Sequence, residues 1–321
     1  MSPLTLTKTC SPKYGVSPLI TDRGKTMEYG IEEWIAEAPA DRVTFRQAVH
    51  IVLQAIAESE YLQPRMIMKG GILLGLRYKS SRFTEDIDFS TSMRLADIDK
   101  DTLRDELNEA LQVASAELPY QVSCAVQSLN IQPRDAENAT FPAFLLKIGY
   151  ARNGNDGEMR RLRVGQSPHT VQIDYSLNEY SLSVDHITLT DDNDLLAYSF
   201  TDLVAEKIRS VMQQVVRNRS RRQDIYDLNL LLAAVDIDDQ DRLSILNSLL
   251  EKSAGRLEPG FVNPETLDRT DIRERSLQDY GLLESEVAGA LPDFDGAYDT
   301  IKAFYRTLPW DLVTGWQRAD G

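Results

Sequence analysis

The chain has 321 residues and a formal net charge of −15, from 50 acidic and 35 basic residues. That balance excludes a protein that coats nucleic acid without selectivity, but it leaves room for a localised basic groove and suits a basic partner protein. An apolar content of 42% supports a sizeable core and two domains or subdomains. Cys10 and Cys124 provide neither a disulfide framework nor metal-ligand spacing, which fits a reducing cytoplasm. No apolar run approaches the ~20 residues of a membrane span, and residues 1–8 lack the apolar core of a signal peptide, so a cytoplasmic protein without membrane attachment is expected.

In chain order, residues 1–29 are rich in Ser, Thr, Pro and Gly and read as an arm, followed by a short helix over 29–37; together they make an N-terminal unit, 1–44. Val49, Val52, Leu53, Ile56 and Ala57 follow helical spacing across 44–62. Met66-Ile67-Met68 predicts a short buried strand, Gly70-Gly71 a bend, and Leu73, Leu74 and Leu76 a helix. After the polar turn Ser80-Ser81-Arg82 comes Asp86-Ile87-Asp88-Phe89. In a strand this places both aspartates on one face and Ile87 and Phe89 in the core. Asp97 or Asp99 caps a helix whose stripe is Leu103, Leu107, Leu111, Ala114 and Leu118. Strands are predicted over 120–128, 144–150, 170–176 and 185–189, and the turn at 154–157 joins the second to the 159–164 run as a hairpin. Beyond about Leu195 the pattern is helical: 199–215, 223–234, 243–250, a charged helix over 265–279 and a last one over 294–308. The fold class is α+β, a mixed-sheet domain at 45–195 followed by a helical domain at 196–321.

The chemistry concentrates between Lys69 and Ser90. Two glycines where a strand meets a helix let the backbone approach a phosphate, and the helix start offers free N–H groups. Neighbouring carboxylates repel unless a cation lies between them, and oxygen-only ligands suit Mg²⁺ or Mn²⁺. Separately, Asp-x-Asp serves in turns and caps, and Gly-Gly marks any tight turn; strand, diglycine, helix and Asp-x-Asp in succession point to nucleotidyl transfer. Asp174 is the positional candidate for a third carboxylate, against the alternative of a strand face open to water. Lys207 shares a helix face with Val204 and Val211, where an ammonium needs phosphate or carboxylate. No acidic residue lies between Lys207 and Arg222, a local excess of positive charge whose plain reading is a solvated loop. Asp224 and Asp227 have the spacing of helix-start caps. His50, His169 and His186 are scattered, and serine-hydrolase, P-loop and zinc signatures are absent.

Four segments, K-G-G-I-L-L-G-L-R-Y at 69–78, S-R-F-T-E-D-I-D-F at 81–89, A-E-K-I-R at 205–209 and D-I-Y-D-L at 224–228, together resemble the AbiEii/AbiGii nucleotidyltransferase-like family of type IV toxin–antitoxin and phage-defence systems. The resemblance covers residues 45–235 and implies a polymerase-β-type nucleotidyltransferase core with a mixed sheet, followed by a helical domain. Gly70 and Gly71 match the family's diglycine, and Asp86 and Asp88 its metal-binding pair. Lys207 matches a lysine expected to touch nucleotide phosphate, and Asp224 the aspartate of an R-D-x-x-D-L motif. Gln223 departs from that motif's arginine, with Arg221 and Arg222 just upstream. The implied activity is a metal-dependent nucleotidyltransferase toxin moving a nucleotide from an NTP to RNA, as similar proteins do at the tRNA 3′ end, with an antitoxin as partner. Asp86, Asp88 and Asp174 would hold Mg²⁺ or Mn²⁺. Gly70, Gly71 and Ser81 would cradle the triphosphate, Arg82 and Lys207 would neutralise its charge, and Arg217, Arg219, Arg221 and Arg222 would face the RNA. The alternatives are a protein hydroxyl or small nucleotide as acceptor, or an inactive nucleotide- or partner-binding module.

Overall fold

The computed structural model describes residues 19–20, 30–190 and 193–313. A single mixed sheet of eight strands organises them: β1 (Leu19–Ile20), β2 (Ile67–Lys69), β3 (Asp86–Ser90), β4 (Val122–Gln132), β5 (Ala143–Arg152), β6 (Thr170–Ser176), β7 (Ser183–Thr190) and β8 (Asn193–Tyr198). Their order is β1-β7-β8-β2-β3-β6-β5-β4; β1–β7, β8–β2 and β3–β6 pair in parallel and the others antiparallel.

Alternation decides which face is buried. Ile87, Ile173 and Leu146 are register partners across β3, β6 and β5 and are almost wholly buried, as are Phe89 and Tyr175. This face packs against α2 (Val43–Glu58) and α4 (Lys100–Glu117), with α1 (Ile31–Ala36) against α2. Each large apolar side chain removed from water there contributes ~1.5–3 kcal/mol. In α4 the Asp99 carboxylate accepts the Thr102 N–H at 2.7 Å, and Leu103, Leu107, Leu111 and Ala114 form the buried stripe. α3 (Gly70–Tyr78) starts directly at the end of β2. After β8, Ser199 caps α6 (Phe200–Arg217), and α7 (Arg222–Ala234), α8 (Asp239–Ser253), α9 (Thr270–Leu277) and α10 (Phe294–Arg306) follow. Buried apolar residues from Ile31 to Val313 form one continuous cluster shared by the sheet and these helices. Among the described residues, no helix is long and apolar enough to cross a membrane.

Three local expectations need correcting. Residues 156–163 form a helix, α5 (Asp156–Arg163), because the Asn155 side chain accepts the Gly157 and Glu158 N–H groups and starts a helical turn. The hairpin partner of β5 is therefore β4. β8 occupies 193–198, where the sequence reads as approaching helix; Leu195, Ala197 and Tyr198 are its buried positions. The charged stretch at 265–279 is broken into a 3₁₀ turn at Thr266–Asp268 and the short α9. Apart from β1, the expected N-terminal arm lies outside the described residues.

Candidate active site

The polar face of the sheet carries the candidate residues in two rows. Lys69, Asp88 and Asp174 are consecutive register partners across β2, β3 and β6, and one step along, Asp86 partners Gln172. Register partners share a face, so Asp86, Asp88 and Asp174 stand together. Asp86 is exposed and the other two are half-buried. Burial, with Asp174 and Glu206 nearby, pushes the Asp88 carboxyl up to about 7, against the pull of Lys69 and Lys207. Partial desolvation against the sheet, then Glu85 and Asp174, raises Asp86 although its side chain reaches solvent. Burial also raises Asp174, with Glu179 and Glu206 adding to it while Lys69 and Arg221 oppose.

Three carboxylates that the protein's own cations do not fully neutralise fit a divalent ion in donor chemistry. Among the described residues, no three His, Cys, Asp or Glu side chains are grouped so that they could hold an ion by themselves. The fit is that of an ion completed by substrate oxygens, as Mg²⁺ commonly is. The raised Asp88 makes a stability prediction. With its folded value above the ordinary 3.8, the folded chain binds more protons than the unfolded one between about pH 4 and 7, so ionisation erodes stability as pH rises through that window. Roughly three units at 1.36 kcal/mol each set a ceiling of ~4 kcal/mol, reduced by partial exposure to an expected ~1–2 kcal/mol. Asp88→Asn should therefore raise the Tm at pH 8 in chelator and show no gain near pH 4, as thermal unfolding at both values will read.

The diglycine closes on the same spot. Gly70 has φ +76°, and a Cβ there would lie 1.8 Å from Asp88 Oδ2. A Cβ on Gly71 would meet the Arg82 guanidinium and Thr84 at 3.0 Å. No side chain caps the start of α3, so its first N–H groups remain for a ligand. Ser81 is exposed, with its Oγ 3.1 Å from the Tyr226 hydroxyl. The turn carrying it is backbone-paired to the segment before α10: the Phe83 N–H donates to the Glu286 carbonyl at 2.7 Å, and the Ala288 N–H to the Ser81 carbonyl at 3.1 Å.

Lys207 finds its anion within the chain. Its Nζ donates to Asp224 Oδ1 at 2.9 Å and to Asp227 Oδ2 at 2.7 Å. Arg82 forks onto Asp227 through Nε and Nη2, each at 3.0 Å. Burial alone would lower the ammonium's pKa, but Asp224 and Asp227 hold it above the usual lysine range. Asp224 and Asp227, with the spacing of surface caps, are thus buried ion-pair partners. A second buried network holds Lys69: its Nζ donates to Glu179 at 2.9 Å and Glu206 at 3.1 Å, and Glu179 also accepts from Arg256 and the Tyr198 hydroxyl. Lys69 and Glu206 sit within segments that the sequence reading marks, whereas Glu179 and Arg256 lie in loops without a local signal. In the arginine run, Arg217, Arg219 and Arg221 are exposed, Arg221 is close enough to favour the ionised form of Asp174, and Arg222 is paired with Glu286 at 2.5 Å.

A family model described as nucleotidyl transferase AbiEii toxin, type IV TA system, matches residues 51–300. JHP933 from Helicobacter pylori is similar in structure at a TM-score of 0.44 and 12% identity, over 88% of this chain and 98% of that one. MenT4, a nucleotidyltransferase toxin from Mycobacterium tuberculosis H37Rv, is similar at a TM-score of 0.50 and 15% identity, over 89% of this chain and 91% of that one, a likeness of fold. No curated protein matches the chain in sequence.

Proposed function

The chain belongs to the AbiEii nucleotidyl transferase toxin family, and from that premise we propose that it transfers a nucleotide from an NTP to an RNA acceptor, the tRNA 3′ end foremost, with Mg²⁺ or Mn²⁺. The observation that supports this reading best is the convergence of Asp86, Asp88 and Asp174 on one sheet face directly against the Gly70 bend. In this reading the triphosphate lies on the N–H groups of Gly70 and Gly71 and the Ser81 hydroxyl. The acceptor hydroxyl attacks the α-phosphorus, the bond to the bridging oxygen breaks, and pyrophosphate leaves. A divalent ion held by Asp86, Asp88 and Asp174 supplies charge neutralisation and a more acidic attacking hydroxyl when bound. Most of the rate enhancement in such transfers is positioning and electrostatics.

Lys207 and Arg82 act here at one remove. Their charges are committed to Asp224 and Asp227, so they fix the Ser81–Arg82 turn, and the Lys207 field favours ionised Asp88. Arg217, Arg219 and Arg221 offer positive charge to RNA, with Arg222 anchored at their end. We assign residues 45–195 as the catalytic unit, 196–321 as the helical unit and 1–44 as an N-terminal unit. A type IV system also implies a cognate antitoxin.

Labelled NTPs, Mg²⁺ and total RNA test this reading. Label in RNA supports it; label on protein shifts the acceptor to a side-chain hydroxyl, and no label leaves a binding module. Asp86→Asn should cut transfer by about a thousandfold or more and remove toxicity, with the Tm little changed because Asp86 is exposed. A variant as toxic as the parent would count against the site.

A further inference from the structure

On the aspartates' side of the sheet, β6, β5 and β4 floor an open cleft of about 690 Å³. Asp86 and Asp174 stand at one edge; Lys100, Arg134 and Lys147 line the rest together with the amides of Asn130 and Gln172. The three cations are exposed, and among the described residues none of them has an ion-pair partner. The largely buried cations Lys69, Arg82, Lys207 and Arg256, by contrast, are all matched to carboxylates. Lys147 partners Gln172, which partners Asp86, so Lys147 stands two strand spacings, about 10 Å, from Asp86 and on the strand next to Asp174. Gly149, two residues on, is covered on this face by Leu162 of α5, which walls off that end.

The sheet order gives the cleft a direction. The diglycine follows β2, the aspartates stand on β3 and β6, and the cations extend over β5 and β4 on the opposite side. Attacking and leaving oxygens lie roughly in line on either side of the transferred phosphorus. With the leaving pyrophosphate at the diglycine, the attacking hydroxyl enters from the β5–β4 side.

We propose that this cleft seats the acceptor RNA strand immediately upstream of its 3′ hydroxyl, with Lys147, Arg134 and Lys100 contacting its phosphates. This rests on the RNA-transfer reading above. Three exposed cations that make no ion pair among the described residues match a polyanion, and the Asn130 and Gln172 amides offer donors and acceptors to unstacked base edges. The Lys147→Glu/Arg134→Glu double variant tests the assignment, with Lys302→Glu on α10 as a distant charge-reversal control.

Steady-state transfer to tRNA should show KM for the RNA raised by about tenfold or more and KM for the NTP unchanged. Anisotropy of a fluorescein-labelled single-stranded RNA should show weaker binding and a salt slope reduced by about 1.4, two contacts at ~0.7 each. Unchanged RNA KM and slope in an enzyme that still labels RNA would overturn the cleft assignment and leave the function standing. An equal rise in the NTP KM would overturn it in favour of a nucleotide site. A parent protein that labels protein and no RNA would overturn both.

Discussion

A Gly70→Ala chain is expected to fold yet lose about a hundred- to a thousandfold in nucleotidyl transfer. At φ +76° an L side chain is strained by roughly 1–2 kcal/mol, and its Cβ would stand 1.8 Å from Asp88 Oδ2. Either Asp88 rotates out of line with Asp86 and Asp174 or the bend moves, and displacements of about 1 Å cost about a hundredfold in rate. Gly71→Ala is the matched comparison. Its backbone is ordinary, and its Cβ meets the tip of Arg82 and the Thr84 side chain at 3.0 Å, which small shifts relieve, so a loss of about tenfold or less is expected. Rates and melting temperatures of both variants decide the matter; if the two behave alike, the approach of the bend to Asp88 is of no consequence.

The largest stability loss is expected from Lys207→Met. Asp224 and Asp227 are 1% and 0% exposed, and removing the ammonium leaves two buried carboxylates with Arg82 alone. Breaking such a cluster costs about 3–5 kcal/mol. Burial alone would raise the Asp227 carboxyl, but Lys207 and Arg82 pull it below its ordinary value. That stabilisation is present above about pH 4 and is lost as pH falls through the folded value. In the variant the balance reverses and the stranded carboxylates take up protons, so its deficit should narrow between pH 8 and pH 5. Lys207→Met/Asp224→Asn, which leaves the Arg82–Asp227 pair, should recover part of the loss. Denaturant unfolding at both pH values measures this; a Lys207→Met protein as stable as the parent, or a double variant worse than the sum of its parts, would refute the account.

What could be read in advance depended on distance along the chain. Asp86 and Asp88 share a face because a strand repeats every two residues, and Ser199 and Asp99 cap helices by local hydrogen bonds; each is written within a few positions. The alignment of Asp174 with Asp88 is a parallel register across more than eighty residues, with no local signature, so Asp174 rested on its polar strand face alone. Lys207 on an apolar helix face signalled a buried anion, yet the sequence did not say whether phosphate or carboxylate would answer it. Of the corrected segments, 159–164 turns on one side chain: Asn155 belongs to a turn by composition and to a helix start by what its oxygen accepts. The basic cleft has no sequence signature, because Lys100, Arg134 and Lys147 come from three separate segments and form no run.

The strand-like contact between the Ser81–Phe83 turn and Glu286–Ala288 ties the rim beside the diglycine to a segment far along the chain, so the loop before the last helix holds the triphosphate side of the candidate site in place. A protease cut just ahead of Glu286 should therefore loosen that rim without touching a single aspartate.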